Sequence, residues 1–360
     1  MSRRQRRRVF ARSAHRARRL VYSFAPLLLL LLGLELGFRL FWEPPSPTES
    51  ALEMVPHPTR LWGLNPGVVT AAGLVHEINE DQLRAVPDTG AAYRVFTVGD
   101  SSVFGHGLKD PDTLHVQLSQ DLAEAGTPTD VFCGAVPGYS TEQSLVILDE
   151  VGWDLDLDLI IIGSLWSDNN FGEFVDAVWM AELRKPSRRI DFFLSHSYGW
   201  RWLRLAQNED DSSELRIRSG SLPIGWIRSP EKPVHGRRRV PLQDYAANLD
   251  TMLLQAAERG VGALVLPPCN RGRLELPEPA AWDIYFETMA QVSDRRGVLR
   301  VDACEVLAAA GLDGEEAFLD KMHPTGAANA AYSRAIVASL MEAGWPERPI
   351  PDGSPPPVLR

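Results

Sequence analysis

Cysteine is scarce in this sequence. The 360 residues include three cysteines, Cys133, Cys269 and Cys304, which are odd in number and far apart. Such a set predicts neither a disulfide framework nor the paired spacing of zinc ligands. Two of them fall in apolar, strand-like stretches, so we expect buried thiols. A glycine-rich phosphate loop and a complete calcium loop are also absent, and the sequence therefore predicts no metal and no cofactor.

Acidic residues are absent from the first 19 positions, which hold nine of the 37 Lys and Arg side chains. The rest of the chain is acidic, because it carries all 47 Asp and Glu residues and the whole has a formal net charge of −10. An acidic body repels phosphate, so we expect no nucleic-acid partner. The basic head of residues 1–19 is instead typical of a flank that stays in the cytoplasm beside a membrane-spanning segment.

Charge is also rare between Leu20 and Trp42, where Glu35 and Arg39 are the only charged side chains. About 20 apolar residues are enough to span a bilayer. Glu35 and Arg39 are four positions apart, so they lie on one helical face and partly neutralise each other. Residues 20–42 therefore predict a single membrane-spanning helix. Its arginine-rich flank is expected to hold the N-terminus in the cytoplasm and to leave the body on the other side.

Besides a nucleic-acid arm, which an adjacent spanning segment makes unnecessary, the alternative to an uncleaved anchor is an export signal. Arg7 and Arg8 begin a stretch that resembles a twin-arginine export signal, but Arg6 stands where such signals carry Ser or Thr. A cleaved signal needs a small-x-small site, and none follows Trp42, where the chain continues Glu-Pro-Pro-Ser-Pro. We therefore favour an uncleaved signal anchor.

The remaining chain is organised around an alternation that begins at Tyr93. Residues 43–92 are rich in proline and turn signals, which indicates a linker and an irregular lead-in. Strand-like and helix-like segments then alternate, which predicts parallel βαβ units and a doubly wound α/β domain over residues 93–345. A Pro-rich tail follows at 346–360. The predicted strands are 94–98, 130–136, 157–165, 261–266 and 299–301, and the predicted helices are 112–125, 141–151, 242–259, 280–292 and 327–341.

Residues 171–240 interrupt this alternation. They hold four tryptophans, Trp179, Trp200, Trp202 and Trp226, among many arginines. A long segment of this kind in a compact α/β domain is typical of a lid or a binding element. The tryptophans suit three roles that the sequence leaves open: stacking on sugar rings, lying at a membrane interface, or forming a small core of their own.

Ser101 follows the first predicted strand of the domain, in the stretch Val98-Gly99-Asp100-Ser101-Ser102. Ligands of open α/β sheets bind at the carboxyl ends of the strands, so we expect the Ser101 hydroxyl at that edge. Glycine at position 99 lets the backbone turn sharply there. Alone, the stretch favours a plain helix cap.

A carboxylate and an imidazole stand three residues apart in Asp320-Lys321-Met322-His323-Pro324-Thr325. Pro324 biases His323 away from helical geometry and marks the first turn of the closing helix. Asp320 can then accept a hydrogen bond from one ring nitrogen, which leaves the other nitrogen to take a serine proton. Alone, this stretch also fits a capping carboxylate beside a surface histidine. Together with Ser101 it supplies a nucleophile, a general base and an orienting acid.

These motifs resemble those of the SGNH/GDSL hydrolase family, and the layout with an N-terminal anchor resembles its membrane-anchored bacterial members. The resemblance rests on Val98-Gly99-Asp100-Ser101, on Gly138 and on the stretch from Asp320 to Thr325. It implies a flavodoxin-like three-layer α/β/α sandwich with a five-stranded parallel sheet. It also implies that Ser101 is the nucleophile, His323 the base and Asp320 the carboxylate that orients it. The backbone N–H groups of Ser101 and Gly138 would then belong to the oxyanion hole.

The third oxyanion donor is where this sequence departs from the family, which usually reads Asn-Asp after its third strand. Here the run is Leu165-Trp166-Ser167-Asp168-Asn169-Asn170. In register, Ser167 replaces the asparagine and Asp168 keeps the aspartate. We expect Asn169 to supply the amide, with Ser167 or Asn170 as the alternatives. Both asparagines also suit a plain loop.

The function that follows is a serine esterase or deacylase for small acyl esters, including O-acetyl groups on cell-envelope carbohydrate. The expected location is a bacterial inner membrane, crossed once, with the catalytic domain in the periplasm. Two alternatives stay open. One is an O-acyltransferase on the same scaffold, in which a sugar hydroxyl replaces water. The other is a catalytically weak envelope protein that binds glycans, for which the altered asparagine block is the main argument.

Overall fold

The computed structural model describes residues 3–42, 54–71, 74–84, 89–172, 175–207, 236–275 and 280–346. The chain divides into two compact units. The smaller unit, which we call the helical unit, comprises Met1–Ser46 and Ile190–Arg218, and the larger, the sheet unit, comprises Pro47–Arg189 and Ser219–Arg360. The predicted Pro-rich tail from residue 347, the prolines at 44–47 and Trp226 lie outside the described residues.

The described strands and helices have the following bounds. The strands are β1 (Met54–His57), β2 (Leu61–Leu64), β3 (Gly67–Ala71), β4 (Leu74–Ile78), β5 (Tyr93–Val98), β6 (Thr129–Cys133), β7 (Leu159–Ile162), β8 (Phe171–Gly172), β9 (Arg237–Arg238), β10 (Gly262–Val265) and β11 (Leu299–Arg300). The helices are α1 (Arg3–Phe41), α2 (Ser101–Phe104), α3 (Leu114–Glu124), α4 (Thr141–Glu150), α5 (Trp166–Asn169), α6 (Asp176–Leu183), α7 (Pro186–Ser195), α8 (Tyr198–Gln207), α9 (Leu242–Arg259), α10 (Arg271–Glu275), α11 (Asp283–Arg296), α12 (Ala303–Ala310), α13 (Gly314–Ala317) and α14 (Gly326–Ala343).

A five-stranded sheet forms the centre of the sheet unit, in the order β11-β10-β7-β5-β6. Every neighbouring pair in it is parallel. Counted along the chain this is the order 2-1-3-4-5 of flavodoxin-like folds, whose switch point lies between the first and third strands. Here those strands are β5 and β7, so the predicted fold class is confirmed and the loops after these two strands are the expected place for a site.

Helices cover both faces of this sheet, because successive strand residues point to opposite sides. In β7, Ile160 and Ile162 face a core that α4, α9 and α11 complete. Leu159 and Ile161 face the other core, completed by α3, α12 and α14. All four side chains are fully buried, which explains why β7 reads as an unbroken apolar run in the sequence.

The lead-in before β5 consists of two antiparallel hairpins, β1 with β2 and β3 with β4. It ends at Arg84, whose guanidinium is buried and donates to the carbonyls of Phe104, Gly105 and Leu108. An ion pair with Asp110, at 2.7 Å, neutralises the buried charge. Because these carbonyls belong to the last residue of α2 and to the loop after it, the lead-in fixes the backbone immediately downstream of Ser101.

The cysteines correct one expectation from the sequence. Cys133 is a buried thiol, as predicted, and burial raises its pKa to about 11. Cys269 and Cys304, in contrast, form a disulfide whose Cα atoms are 4.8 Å apart. The two cysteines are 35 positions apart in sequence. The fold brings them together because Cys269 follows β10 and Cys304 lies in the first turn of α12.

The described part of the helical unit contains one helix that is long and apolar enough to cross a membrane, Tyr22–Phe41 within α1, with a mean hydropathy of 1.9. A signal sequence near an N-terminus meets the same criteria of length and hydropathy. None of this window is buried inside the protein. The predicted pairing of Glu35 with Arg39 is present, at 2.9 Å between Arg39 Nε and Glu35 Oε1.

The disulfide between Cys269 and Cys304 is expected to stabilise the folded protein. A bond that closes a loop of 35 residues restricts the unfolded chain by about 4 kcal/mol in the chain-entropy model. We expect the double variant Cys269→Ser, Cys304→Ser to lose up to that amount of unfolding free energy, measured by urea denaturation of non-reduced protein. Wild-type protein unfolded without reductant should show one reactive thiol, that of Cys133; three reactive thiols would contradict the bond.

Candidate active site

Ser101 is the first residue of α2, directly after the turn that leaves β5. Asp100 caps this helix, since its Oδ1 accepts from the backbone N–H and the hydroxyl of Ser102, at 3.0 and 2.7 Å. The hydroxyl of Ser102 is therefore engaged with Asp100. The N–H of Ser101 lies in the first turn of α2, where no preceding helical carbonyl exists to accept it.

The same Asp100 carboxylate reaches a second loop. Its Oδ2 accepts from the backbone N–H of Trp166, at 3.0 Å, and of Ser167, at 3.4 Å. Asp100 is fully buried, so these donors supply the compensation that a buried carboxylate requires. The turn after β5 and the loop after β7 are thereby held side by side at the switch point of the sheet.

His323 lies in the loop between α13 and α14. Its Nε2 is 2.8 Å from the hydroxyl oxygen of Ser101, although the two residues are 222 positions apart. Its Nδ1 is 2.7 Å from Oδ2 of Asp320. The structure therefore brings together the three residues Ser101, His323 and Asp320 in one hydrogen-bonded chain.

Asp320 is fixed by the backbone of its own loop. Its Oδ1 accepts from the N–H groups of Met322, at 2.8 Å, and His323, at 2.9 Å. Burial alone would raise the pKa of Asp320, but these two N–H groups and the His323 ring outweigh it and lower that pKa below its ordinary value. The carboxylate consequently stays ionised at neutral pH and faces Nδ1 of the imidazole.

His106 is a neighbour that the sequence did not assign to the site, because a histidine between two glycines is typical of an exposed loop. Its ring is half-buried and lies 4.9 Å, centroid to centroid, from the ring of His323. Burial, and then the nearby His323, lower the pKa of His106, while Asp320 acts in the opposite direction. A neutral His106 thus covers one side of the His323 ring.

Gly138 occupies a tight turn, in which the N–H of Tyr139 donates to the carbonyl of Val136 at 3.0 Å. Proline at the second position and glycine with φ +80° at the third are typical of a type II turn. The N–H of Val136 donates to the carbonyl of Gly99 at 3.2 Å, which places this turn next to the Ser101 loop. Among the described residues, the N–H of Gly138 has no acceptor.

Two segments that are distant in the sequence, β2 and the residue after β9, donate hydrogen bonds to the Gly138 turn. The indole of Trp62, in β2, donates to the carbonyl of Pro137 at 3.3 Å, and the hydroxyl of Tyr139 donates to the carbonyl of Trp62 at 2.7 Å. Arg239 donates to the carbonyl of Gly138 at 2.8 Å and forms an ion pair with the buried Asp176 at 2.7 Å. The two ends of the predicted insertion, at Asp176 and Arg239, therefore belong to the framework of the site.

The four residues after Trp166 are placed differently from one another. Ser167 and Asn169 are buried in α5, whereas Asn170 is exposed. Asp168 accepts from the backbone N–H and the hydroxyl of Thr141, at 2.9 and 2.5 Å. Complete burial raises the pKa of Asp168 to about 8, against the lowering effect of those two donors. Asp168 thus joins this loop to the start of α4 and not to the Ser101 hydroxyl.

Arg238 orients the amide of Asn169. Its Nη1 donates both to the backbone carbonyl and to the side-chain Oδ1 of Asn169. The guanidinium lies over the ring of Phe171, 4.1 Å from its centroid, and also donates to the carbonyl of Ala281 at 2.9 Å. With Oδ1 held by Arg238, the Nδ2 donor group of Asn169 is directed away from Arg238. The sequence offered no signal for this arginine, because it stands at the far end of a long non-repeating segment.

Similarity to known proteins was found only among solved structures. No family model matches this chain, and no curated protein matches it. Among solved structures it is similar to LAE5, an alpha/beta hydrolase enzyme from the metagenome of Lake Arreo, Spain, with 16% identity and a TM-score of 0.44, over 69% of this chain and 95% of that one.

Two further similar structures are TesA and an acetylxylan esterase from Geobacillus stearothermophilus. TesA shares 14% identity at a TM-score of 0.43, over 69% of this chain and 98% of its own. The esterase, Axe2, shares 14% identity at a TM-score of 0.44, over 69% of this chain and 94% of its own. TM-scores below 0.5 are too low to carry a conclusion about the activity of this chain.

Proposed function

We propose that this chain is a membrane-anchored serine esterase or deacylase that hydrolyses small acyl esters. The observation that carries the proposal is the hydrogen-bonded chain from the Ser101 hydroxyl through His323 to Asp320, with contacts of 2.8 and 2.7 Å. A nucleophile within reach of a base, and a base oriented by a third group, is the arrangement that serine-based acyl transfer requires. The motifs that resemble SGNH/GDSL hydrolases point to the same chemistry.

The first half of the reaction forms an acyl-enzyme. Ser101 Oγ attacks the ester carbonyl as Nε2 of His323 takes the hydroxyl proton. Asp320 keeps the proton of the ring on Nδ1 and stabilises the imidazolium that forms. His323 then gives its proton to the leaving alcohol, and the acyl group stays on Ser101 as an ester.

The second half returns the enzyme to its starting state. A water molecule, deprotonated by His323, attacks the acyl carbonyl, and the bond to Ser101 Oγ breaks as that oxygen recovers its proton. The acid is released. In both halves the developing oxyanion is bound by the N–H groups of Ser101 and Gly138 and by the amide of Asn169, and each such preorganised donor contributes about 2.7–4 kcal/mol in the transition state.

The location that we propose is the outer face of a bacterial inner membrane. The apolar stretch Tyr22–Phe41 supports an anchor, and the arginine-rich flank before it supports a cytoplasmic N-terminus. The disulfide between Cys269 and Cys304 supports an oxidising compartment for the sheet unit. O-acetyl groups on cell-envelope polysaccharide are the substrates that such a placement makes accessible, and this last step rests on the location and on the family resemblance.

The role of Ser101 is tested by a matched pair of variants. We expect Ser101→Ala to lower the hydrolysis of p-nitrophenyl acetate by the full chain in detergent by about 10⁴-fold or more. Ser102→Ala is the control, because the Ser102 hydroxyl bonds to Asp100 and not to His323, and because Asp100 keeps its three backbone N–H donors in this variant. It should retain most of the activity. Unchanged hydrolysis in Ser101→Ala, or loss in Ser102→Ala alone, would contradict the mechanism.

The third oxyanion donor is tested by three neighbouring alanine variants. We expect Asn169→Ala to lower kcat by about 10²- to 10³-fold with little change in KM, because a lost oxyanion donor acts only in the transition state. Ser167→Ala and Asn170→Ala should each stay within about tenfold of wild type, well below the loss expected for such a donor. A larger loss for Ser167→Ala than for Asn169→Ala would assign the role to the hydroxyl that stands in register with the family asparagine.

A further inference from the structure

Glu35 lies inside the apolar part of α1, where a carboxylate is costly unless it is paired. It stands six residues before Phe41, the last residue of the helix, which corresponds to about 9 Å along the axis. Arg39 supplies one hydrogen bond to Glu35, at 2.9 Å. The other donors come from a segment more than 160 positions away in the sequence.

These donors form the start of α8. The Glu35 carboxylate accepts from the hydroxyl of Ser197 at 2.6 Å, from the N–H of Tyr198 at 3.0 Å and from the N–H of Gly199 at 3.2 Å. The first N–H groups of a helix have no partner within it, and an anion there is favoured by the helix dipole. Glu35 therefore accepts hydrogen bonds from the N–H groups at the start of α8, and these N–H groups in turn stabilise the negative charge of Glu35.

Aromatic side chains surround this joint. The rings of Phe38 and Trp202 are 5.3 Å apart, and those of Trp42 and Tyr198 are 6.3 Å apart. Gly199 allows the close approach of the two helices, because a Cβ at that position would lie 3.1 Å from the Phe38 ring. Tryptophan and tyrosine at this level are typical of the boundary between hydrocarbon and lipid headgroups.

Large apolar side chains of α7 and α8 are exposed as well. Ile190 and Phe193 of α7 are 63% and 78% exposed, and Trp202 of α8 is 43% exposed. The leucines of α1 at positions 27–32 are exposed by half or more as well. Exposed apolar side chains in the same compact unit as a membrane-spanning helix indicate the same solvent for both, namely lipid.

We propose that residues 190–207 are embedded in the outer boundary layer of the bilayer, tied at a fixed depth to α1 by Glu35. The partner of this surface is the lipid at the level where headgroups meet acyl chains. Lipid surrounds the exposed Phe193, and the headgroup region solvates the exposed Arg201. The proposal rests on the membrane insertion of α1 proposed above, and it is independent of the esterase chemistry.

The depth of residues 190–207 in the bilayer follows from the contact between Glu35 and the start of α8. Because Glu35 lies about 9 Å below the end of α1, its partners Ser197 and Tyr198 cannot lie in bulk water while α1 spans the membrane. If the segment were withdrawn, the carboxylate would be left with Arg39 alone in an apolar surrounding, which is unfavourable. The insertion between the two halves of the sheet unit thus contains a second membrane contact besides α1.

The test measures contact with lipid at single positions. The full chain is reconstituted into vesicles of phosphatidylcholine and phosphatidylglycerol, with a fluorescent probe on a cysteine introduced at Phe193, and nitroxide-bearing lipids are added as quenchers. Native cysteines do not react, because Cys133 is buried and the other two are bonded. We expect quenching at Phe193→Cys equal to that at the reference position Phe41→Cys, on α1.

Two substitutions in α1 separate the tether from the anchor. We expect Glu35→Ala to remove most of the quenching at position 193 and to leave that at position 41 unchanged. Leu34→Ala, the adjacent exposed residue, is the matched control and should change neither. Equal quenching at position 193 with and without Glu35 would overturn the tether.

The remaining outcomes also decide the matter. Quenching at position 41 but not at 193 would overturn the proposal, and it would assign the apolar face to a protein partner or to a second copy of the chain. Absence of quenching at both positions would overturn the membrane anchor together with the proposal. Ester hydrolysis by the same preparation tests the proposed function separately, since the substituted positions belong to the helical unit and Ser101 and His323 belong to the sheet unit.

Discussion

The candidate site depends on one buried carboxylate, that of Asp100. One of its oxygens caps the helix that begins at Ser101, and the other accepts from the loop after β7. A fully buried carboxylate that lost these donors would be strongly destabilising. The turn after β5 and the loop after β7 therefore cannot separate without a large cost, and the geometry around Ser101 is fixed before any substrate arrives. Such preorganisation is the main source of electrostatic catalysis.

Asp320 and His323, the other part of the site, come from near the C-terminal end of the chain and are fixed by contacts within their own loop. Asp320 is held by the backbone of its own loop and in turn holds His323. The supports around these groups are more distant. Trp62 and Arg239 brace the Gly138 turn, and Arg238 braces Asn169. The lead-in, which precedes the α/β domain, and the insertion, which interrupts it, therefore support the residues of the site. This is how two segments without a clear sequence pattern contribute to the site.

Features that depend on local sequence patterns could be predicted from the sequence. The fold class follows from strands and helices that alternate, and α9 was predicted with its observed bounds because its buried residues recur on one helical face. The short α12 was missed, since its alanine-rich sequence has no clear apolar stripe. Ser101, Asp320 and His323 were recognisable because each stands at the end of a patterned element. Their roles, and those of Gly138 and Asn169, stay proposals that the geometry supports.

Long-range pairings could not be derived in the same way. No spacing rule joins Cys269 to Cys304, or Arg238 to Asn169, or Glu35 to the start of α8, because each pairing arises only after the chain has folded. His106 could not be predicted for a related reason: glycines on both sides are typical of an exposed loop, whereas the turn after α2 brings its ring against His323. Tertiary contacts therefore decide the finer features of the site.

The central claim is that Ser101 is an activated nucleophile, and covalent labelling tests it most directly. The full chain, folded in detergent, is treated with a fluorophosphonate, and the adduct is located by mass spectrometry. The account predicts a single adduct on Ser101 that is lost in His323→Ala, because the serine is nucleophilic only beside its base. Folded protein that takes up no label, or carries it on another residue, would contradict the account.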